Sequence, residues 1–242
     1  LTHRAFQPLL LDLLRQAHSR QNAFFQQRPP AELAIIGTPA CWSARDHMAH
    51  LTFWRQRLAL HLQTILRQQA SAMPDDAEHL NPIVFQQHRY RPWPDTLSAS
   101  DQAYGELLAL SAQLKEEDLT TGTGLNWLPA GAPLYTAFMG YCYEHTQQHL
   151  AQYLLDRHEQ TGALEIYESW ASLVSAAEAP EPLHGSILYN LACFYATHGR
   201  LEQARTLLQQ AFTLQPETRT LALTDPDLLA FRSPCFRPRQ SE

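Results

Sequence analysis

The sequence predicts an all-α protein, with a four-helix bundle over residues 1–160 and a short helical repeat segment over residues 161–242. Three observations predict it. Apolar residues recur at intervals of three and four through most of the chain, the period of a helix with one buried face. Capping and stop signals divide that pattern into four long segments before residue 160. Beyond that point the helices shorten, the turns tighten and small residues recur at fixed places.

The first helix is expected over residues 4–27, where Phe6, Leu9, Leu10, Leu13 and Leu14 fall on one face. The "RPP" at Arg28 to Pro30 ends it. The second starts at "WSARD", with Ser43 as N-cap and Asp46 completing a capping box; Trp42 stands where a hydrophobic staple belongs. It runs to about Gln69. A long connection follows, whose Phe85, Tyr90 and Trp93 are apolar enough to pack onto the bundle, in part as a short helix. The third helix is expected over Thr96 to Leu114, and a Thr- and Gly-rich loop leads to the fourth. Pro133 suits the first turn of that helix, which reaches about Glu159. One long crossover among four long helices is a known bundle arrangement.

The last third of the chain carries a second pattern. In "ILYNLACFYATHGRLEQARTLLQQAFTLQP", Leu188, Leu191, Ala192, Tyr195, Gly199, Ala204, Leu208, Ala211 and Pro216 fall where a tetratricopeptide repeat places such residues. Ala192 and Ala204 let two antiparallel helices approach, Gly199 makes the turn and Pro216 closes the second helix. One repeat cannot bury its own faces. "ALEIYESWASLVSAA" before it and "TDPDLLAFR" after it, with Asp225 as cap and Pro226 in the first turn, supply the remainder.

Bulk properties exclude some partners. The apolar content of 45% over 242 residues supports a sizeable core. Net charge is -6 and no Lys/Arg run is long enough to track phosphates, so nucleic acid is not an expected partner. No apolar run approaches the roughly 20 residues that span a bilayer, so no membrane role is expected. Asp12, Arg15 and His18 interrupt the N-terminal apolar cluster at helical spacing, which reads as a soluble amphipathic helix and not a targeting segment. Cys41, Cys142, Cys193 and Cys235 form no CxxC pair, which favours reduced thiols and a cytoplasmic setting. The anomaly is the count of 12 histidines.

Two of these, in "YEHTQQHLAQY", are four apart, so His145 and His149 share a helix face. Thr146 follows the first, so this is not the H-E-x-x-H zinc protease motif, and Glu144 sits about 100° around the helix. An i, i+4 pair also serves as a plain polar face. A metal centre needs a third ligand, and His50 on the second helix, on the side that carries Trp54, is placed to face the core. His47 lies about 60° away, toward the rim. His47, Trp54 and Glu144 are candidate pocket residues around the three histidines. Trp42, Phe85, His88, Trp93, Trp127 and Tyr143 are further candidates for a pocket at the bundle mouth or for plain core, and Cys142 is expected to be buried.

The stretches "CWSARDHMAHLTFWRQRL", "LNPIVFQQHRYRPWPDTL" and "WLPAGAPLYTAFMGYCYEHTQQHLAQYL" resemble the DinB/YfiT-like superfamily of four-helix bundles, most closely its ClbS/DfsB-related and maleylpyruvate isomerase N-terminal-like branches. The resemblance spans residues 1 to about 160 and leaves the repeat segment uncovered. It implies a divalent metal, usually zinc or nickel, held by His50, His145 and His149. It also implies hydrolysis of a small-molecule substrate, or a transfer involving a low-molecular-weight thiol, in detoxification or stress response. The alternative expectation is a non-catalytic scaffold whose repeat segment docks a peptide or a partner subunit. The repeat segment can also simply pack on the bundle or on a second copy of the chain, as in a homodimer.

Overall fold

The computed structural model describes residues 6–69, 77–122, 128, 131–177 and 179–232. The described residues are helical apart from turns and two isolated bridges. Trp127 and Cys235 lie outside them. The chain divides into two compact units, Leu1–Gln160 and Thr161–Glu242.

In the first unit, α1 (Phe6–Gln26) buries Phe6, Leu9, Leu10, Leu13 and Leu14, the stripe its periodicity predicts. The short α2 (Pro30–Leu33) follows. The capping box at the start of α3 (Ala44–Leu66) forms as expected: the Ser43 backbone N–H donates to Asp46 Oδ2 at 2.8 Å and the Asp46 N–H donates to Ser43 Oγ at 3.4 Å. From Ala44 to Thr52 every residue of α3 is buried, so this half of the helix has no solvent face. The connection after it contains α4 (Ala77–His88), packed on α3.

α5 (Trp93–Ser111) starts and ends three residues earlier than periodicity suggests. Pro92 is its cap and Pro94 lies in its first turn, where a missing N–H costs nothing. Next, α6 (Glu116–Thr120) places the Glu116 carboxylate on the N–H groups of Phe6 and Gln7, at 2.6 and 2.9 Å. It thus satisfies two orphan donors at the start of α1.

The fourth long helix is not the regular helix that the sequence suggests. Pro133 pairs with Gly122 in a bridge ahead of it. The helix itself has three parts: α7 (Tyr135–Phe138), a π-helical stretch (Met139–Glu144) and α8 (His145–Leu155). α3 lies against α5 and α8, and α1 lies against the same two, so α1 and α3 occupy diagonal corners of the bundle.

The second unit contains α9 (Gln160–Ala176), α10 (Glu181–Thr197), α11 (Leu201–Leu214) and α12 (Thr218–Ala222). α10 and α11 form a tight hairpin, with Ala192, Ala204 and Ala211 fully buried. Gly199 turns the chain between them at φ +75, a conformation that side chains disfavour. After α12 a 3-10 turn (Pro226–Arg232) replaces the expected short α-helix. Asp225 caps it as predicted, accepting the Asp227 N–H at 2.9 Å.

Candidate metal centre

Local structure at the start of α3 aims its histidines. A Cβ on Gly37 would lie 2.0 Å from Asp46 Oδ2 and 2.6 Å from the Ser43 nitrogen, so only glycine leaves room for the capping box. The Thr38–Cys41 bridge turns the chain immediately before it and delivers Trp42 over the first turn of α3. His47 and His50 follow one residue and one turn later, both buried at 2% and 5% exposure. On the facing helix, the π-helical stretch ends where α8 begins, and α8 carries His145 and His149. A π turn holds one extra residue and often marks a functional site. Here it runs directly into the pair at His145.

The four histidines meet between α3 and α8. His145 Nε2 lies 3.0 Å from His50 Nε2 and 3.0 Å from His149 Nε2. His47 Nδ1 lies 2.8 Å from His149 Nδ1. Trp42 stacks on His149 with ring centroids 5.7 Å apart and stands edge-on to His47 and His50. Phe85 continues the aromatic wall behind Trp42, and Trp54 closes the His50 side with centroids 6.2 Å apart.

Protons alone do not satisfy this arrangement. A neutral imidazole has one N–H and one lone pair. Two nitrogens both face His145 Nε2, which as acceptor takes one hydrogen and as donor gives one. One of the two 3.0 Å contacts therefore lacks a good hydrogen bond. Charging a ring to supply another proton is resisted. Burial pushes His47 down to about 3, His50 to about 4 and His145 to about 3, and it holds His149 well below its ordinary value. Positive charge adds to this: the histidines oppose one another's protonation, Arg55 opposes that of His50, His145 and His149, and Arg157 that of His47.

A divalent cation resolves the conflict, because it accepts all three lone pairs at once. Ligands at about 2.05 Å in a tetrahedral zinc site are about 3.3 Å apart, close to the spacing found here. The donor set is chemically sound, since neutral imidazole suits zinc and nickel alike. His50, His145 and His149 lie close enough together to hold an ion.

A polar network lies beneath them. Arg55 is fully buried; it donates to Gln21 Oε1 and Thr146 Oγ1, both at 2.7 Å, and stacks over the Tyr104 ring at 4.2 Å. Thr146 in turn donates to the Cys142 carbonyl at 2.6 Å, tying the start of α8 to the π-helical stretch.

Several sequence expectations change at this point. His47 is not at the rim; it is buried against His149 because the loop carrying Trp42 covers it. Trp42 is more than a staple, since its ring contacts three histidines. Glu144 belongs to the π-helical stretch, so the 100° step expected between it and His145 does not apply. Cys142 is buried as expected, with its thiol pushed up to about 12 by desolvation. Trp93 packs on Phe25, and His88 lines a small recess beside Ala49 and Thr52. Sequence reasoning missed Arg55, Gln21 and Thr146; an arginine and a glutamine recurring within otherwise apolar helix faces were the available signal.

No curated protein and no solved structure matches the chain. The family model of the DinB superfamily matches residues 13–153, which include α3, the π-helical stretch, all four histidines and most of α8. With more than half of its length matched, and with the helical bundle in place, the chain belongs to the DinB superfamily.

Proposed function

We propose that this protein is a divalent-metal-dependent enzyme of detoxification or stress response, holding zinc or nickel on His50, His145 and His149. The observation that carries this reading is the convergence of three Nε2 atoms, with His145 Nε2 shared between two 3.0 Å contacts. The chemistry such an ion supplies is Lewis acidity, which polarises a carbonyl and lets water or a thiol ionise near neutral pH. The chain's part is to keep three imidazoles neutral and to surround them with Trp42, Phe85 and Trp54, which exclude water from one side.

The reaction is hydrolysis of a small molecule or transfer to a small thiol. Where a thiol takes part it is not that of Cys142, the cysteine nearest the histidine pair in sequence, which burial keeps protonated with its group raised to about 12. The test is metal analysis of the full chain purified without chelator or nickel resin. The expected result is one equivalent of zinc or nickel, lost in the His145→Ala/His149→Ala double variant. Purified protein that takes up no divalent metal, with a melting temperature indifferent to chelator, would overturn the reading.

A second reading rests on the second unit. An open groove runs between α9 and α10, lined by Glu168, Ala171, Ser172, Ser175, Leu188 and Leu191. Its small and apolar walls with one carboxylate suit an extended peptide, as the tetratricopeptide pattern suggests. Peptide-array binding by the full chain, abolished by Ala171→Trp, tests it; an unchanged array profile in that variant would reject it.

A further inference from the structure

His47 is a fourth imidazole that the three-ligand reading does not use. Its Nδ1 meets His149 Nδ1 at 2.8 Å, on the side of the His149 ring turned away from His145. One of these two nitrogens must carry the hydrogen. His149 Nε2 is the atom that converges with His50 and His145, and a ring whose Nε2 lone pair is free carries its proton on Nδ1.

We propose that His47 is a positioning residue: it accepts the Nδ1 proton of His149, so that His149 is held as the tautomer whose Nε2 lone pair points at His50 and His145. His47 then carries its own proton on Nε2. That nitrogen is buried and has no nitrogen or oxygen partner among the described residues. The rings standing edge-on to His47 are those of Trp42 and Tyr153, at 5.4 and 5.9 Å between centroids. Outer partners of the kind proposed for His47 fix the tautomer and orientation of a metal-binding histidine, and their loss weakens metal affinity about 10- to 100-fold.

Two measurements test this. In the metal-free native chain, nitrogen-15 correlation spectra of labelled histidines should report His149 as the Nδ1–H tautomer and His47 as Nε2–H. The opposite assignment overturns the proposal, whether or not the chain binds metal. The second measurement rests on the proposed metal-binding function: zinc affinity by competition with a chromophoric chelator. His47→Phe removes the acceptor and should weaken zinc about 10- to 100-fold with one equivalent still bound. His47→Asn, whose carbonyl accepts the same proton, should recover most of it. Equal weakening in both variants would assign His47 to packing alone and overturn the proposal. A native chain that binds no zinc but gives the expected tautomers would reject the metal and leave His47 in its place.

Discussion

Arg55 holds a full charge inside the bundle and has no carboxylate within ion-pair distance among the described residues. Neutral oxygens of Gln21 and Thr146 and the face of Tyr104 take its place. Arg55→Ala should destabilise the chain by about 2–5 kcal/mol, from two buried polar partners left short and from the cavity. Urea unfolding measures it, and a loss below about 1 kcal/mol would mean that the network holds little. The same variant should raise the proton affinity of His50, His145 and His149, because Arg55 opposes their charging. Histidine titration by NMR reads that change. Gly37 acts through absence of a side chain. Gly37→Ala drives a methyl into the Asp46 carboxylate and should cost about 1–2 kcal/mol, the usual value of a lost N-cap, seen as a lower urea midpoint.

At the scale of elements, the centre depends on the register between α7 and α8. The π-helical stretch Met139–Glu144 adds one residue to the turn. Inserting one alanine after Gly140, which has open space around it, adds a residue beyond the one the π turn absorbs and should rotate α8 by about 100° against α7. The core faces of α7 and α8 could then no longer both be buried with His145 and His149 turned toward His50. The expected outcome is helix content near native by circular dichroism with zinc binding lost at equimolar metal. Retained binding would show that α8 takes its direction from α3 and not from the π turn. Some of this scale is readable in the sequence. The Ser43–Asp46 box and the stripe of α1 are local, set by residues three or four apart, and both form where expected. The π stretch has no such signature, because its extra residue is accommodated by packing against α1 and α3.

For the molecule as a whole, the buried histidines make metal-free stability depend on pH. The folded values of His47, His50 and His145 lie near 3 to 4 and His149 is held well below its ordinary value, while the unfolded chain protonates them near 6.5. Between those limits the unfolded state binds more protons, so stability rises with pH. The contribution is intact above about pH 6.5 and is lost as pH falls toward 3. Thermal melts of metal-free protein should therefore drop steeply below pH 6.5, with a slope exceeding the about 1.4 kcal/mol per pH unit of a single site. A flat profile between pH 6.5 and 4.5 would mean that the histidines are hydrated. Zinc at about 100 times its dissociation constant should add about 2.7 kcal/mol, removed by chelator. No helix among the described residues is long and apolar enough to cross a membrane.

The sequence by itself determined the helical class, the capped start of α3, the inward stripe of α1 and the shared face of His145 and His149. Each depends on contacts within a few residues, which backbone geometry dictates. His50 was legible as a core-facing candidate from its helix face, but the likeness of its surrounding stretch to a known family was needed to pair it with the histidines of α8, since no local rule joins residues 95 apart. Tertiary structure alone decided the rest: that His47 is buried against His149, that Trp42 covers the group, and that Arg55 sits beneath it with no carboxylate partner among the described residues. The physical reason is the same in all three. Which way a polar side chain faces on a helix buried all round is settled by what packs against it, and those neighbours come from α8, α1 and the loop before α3.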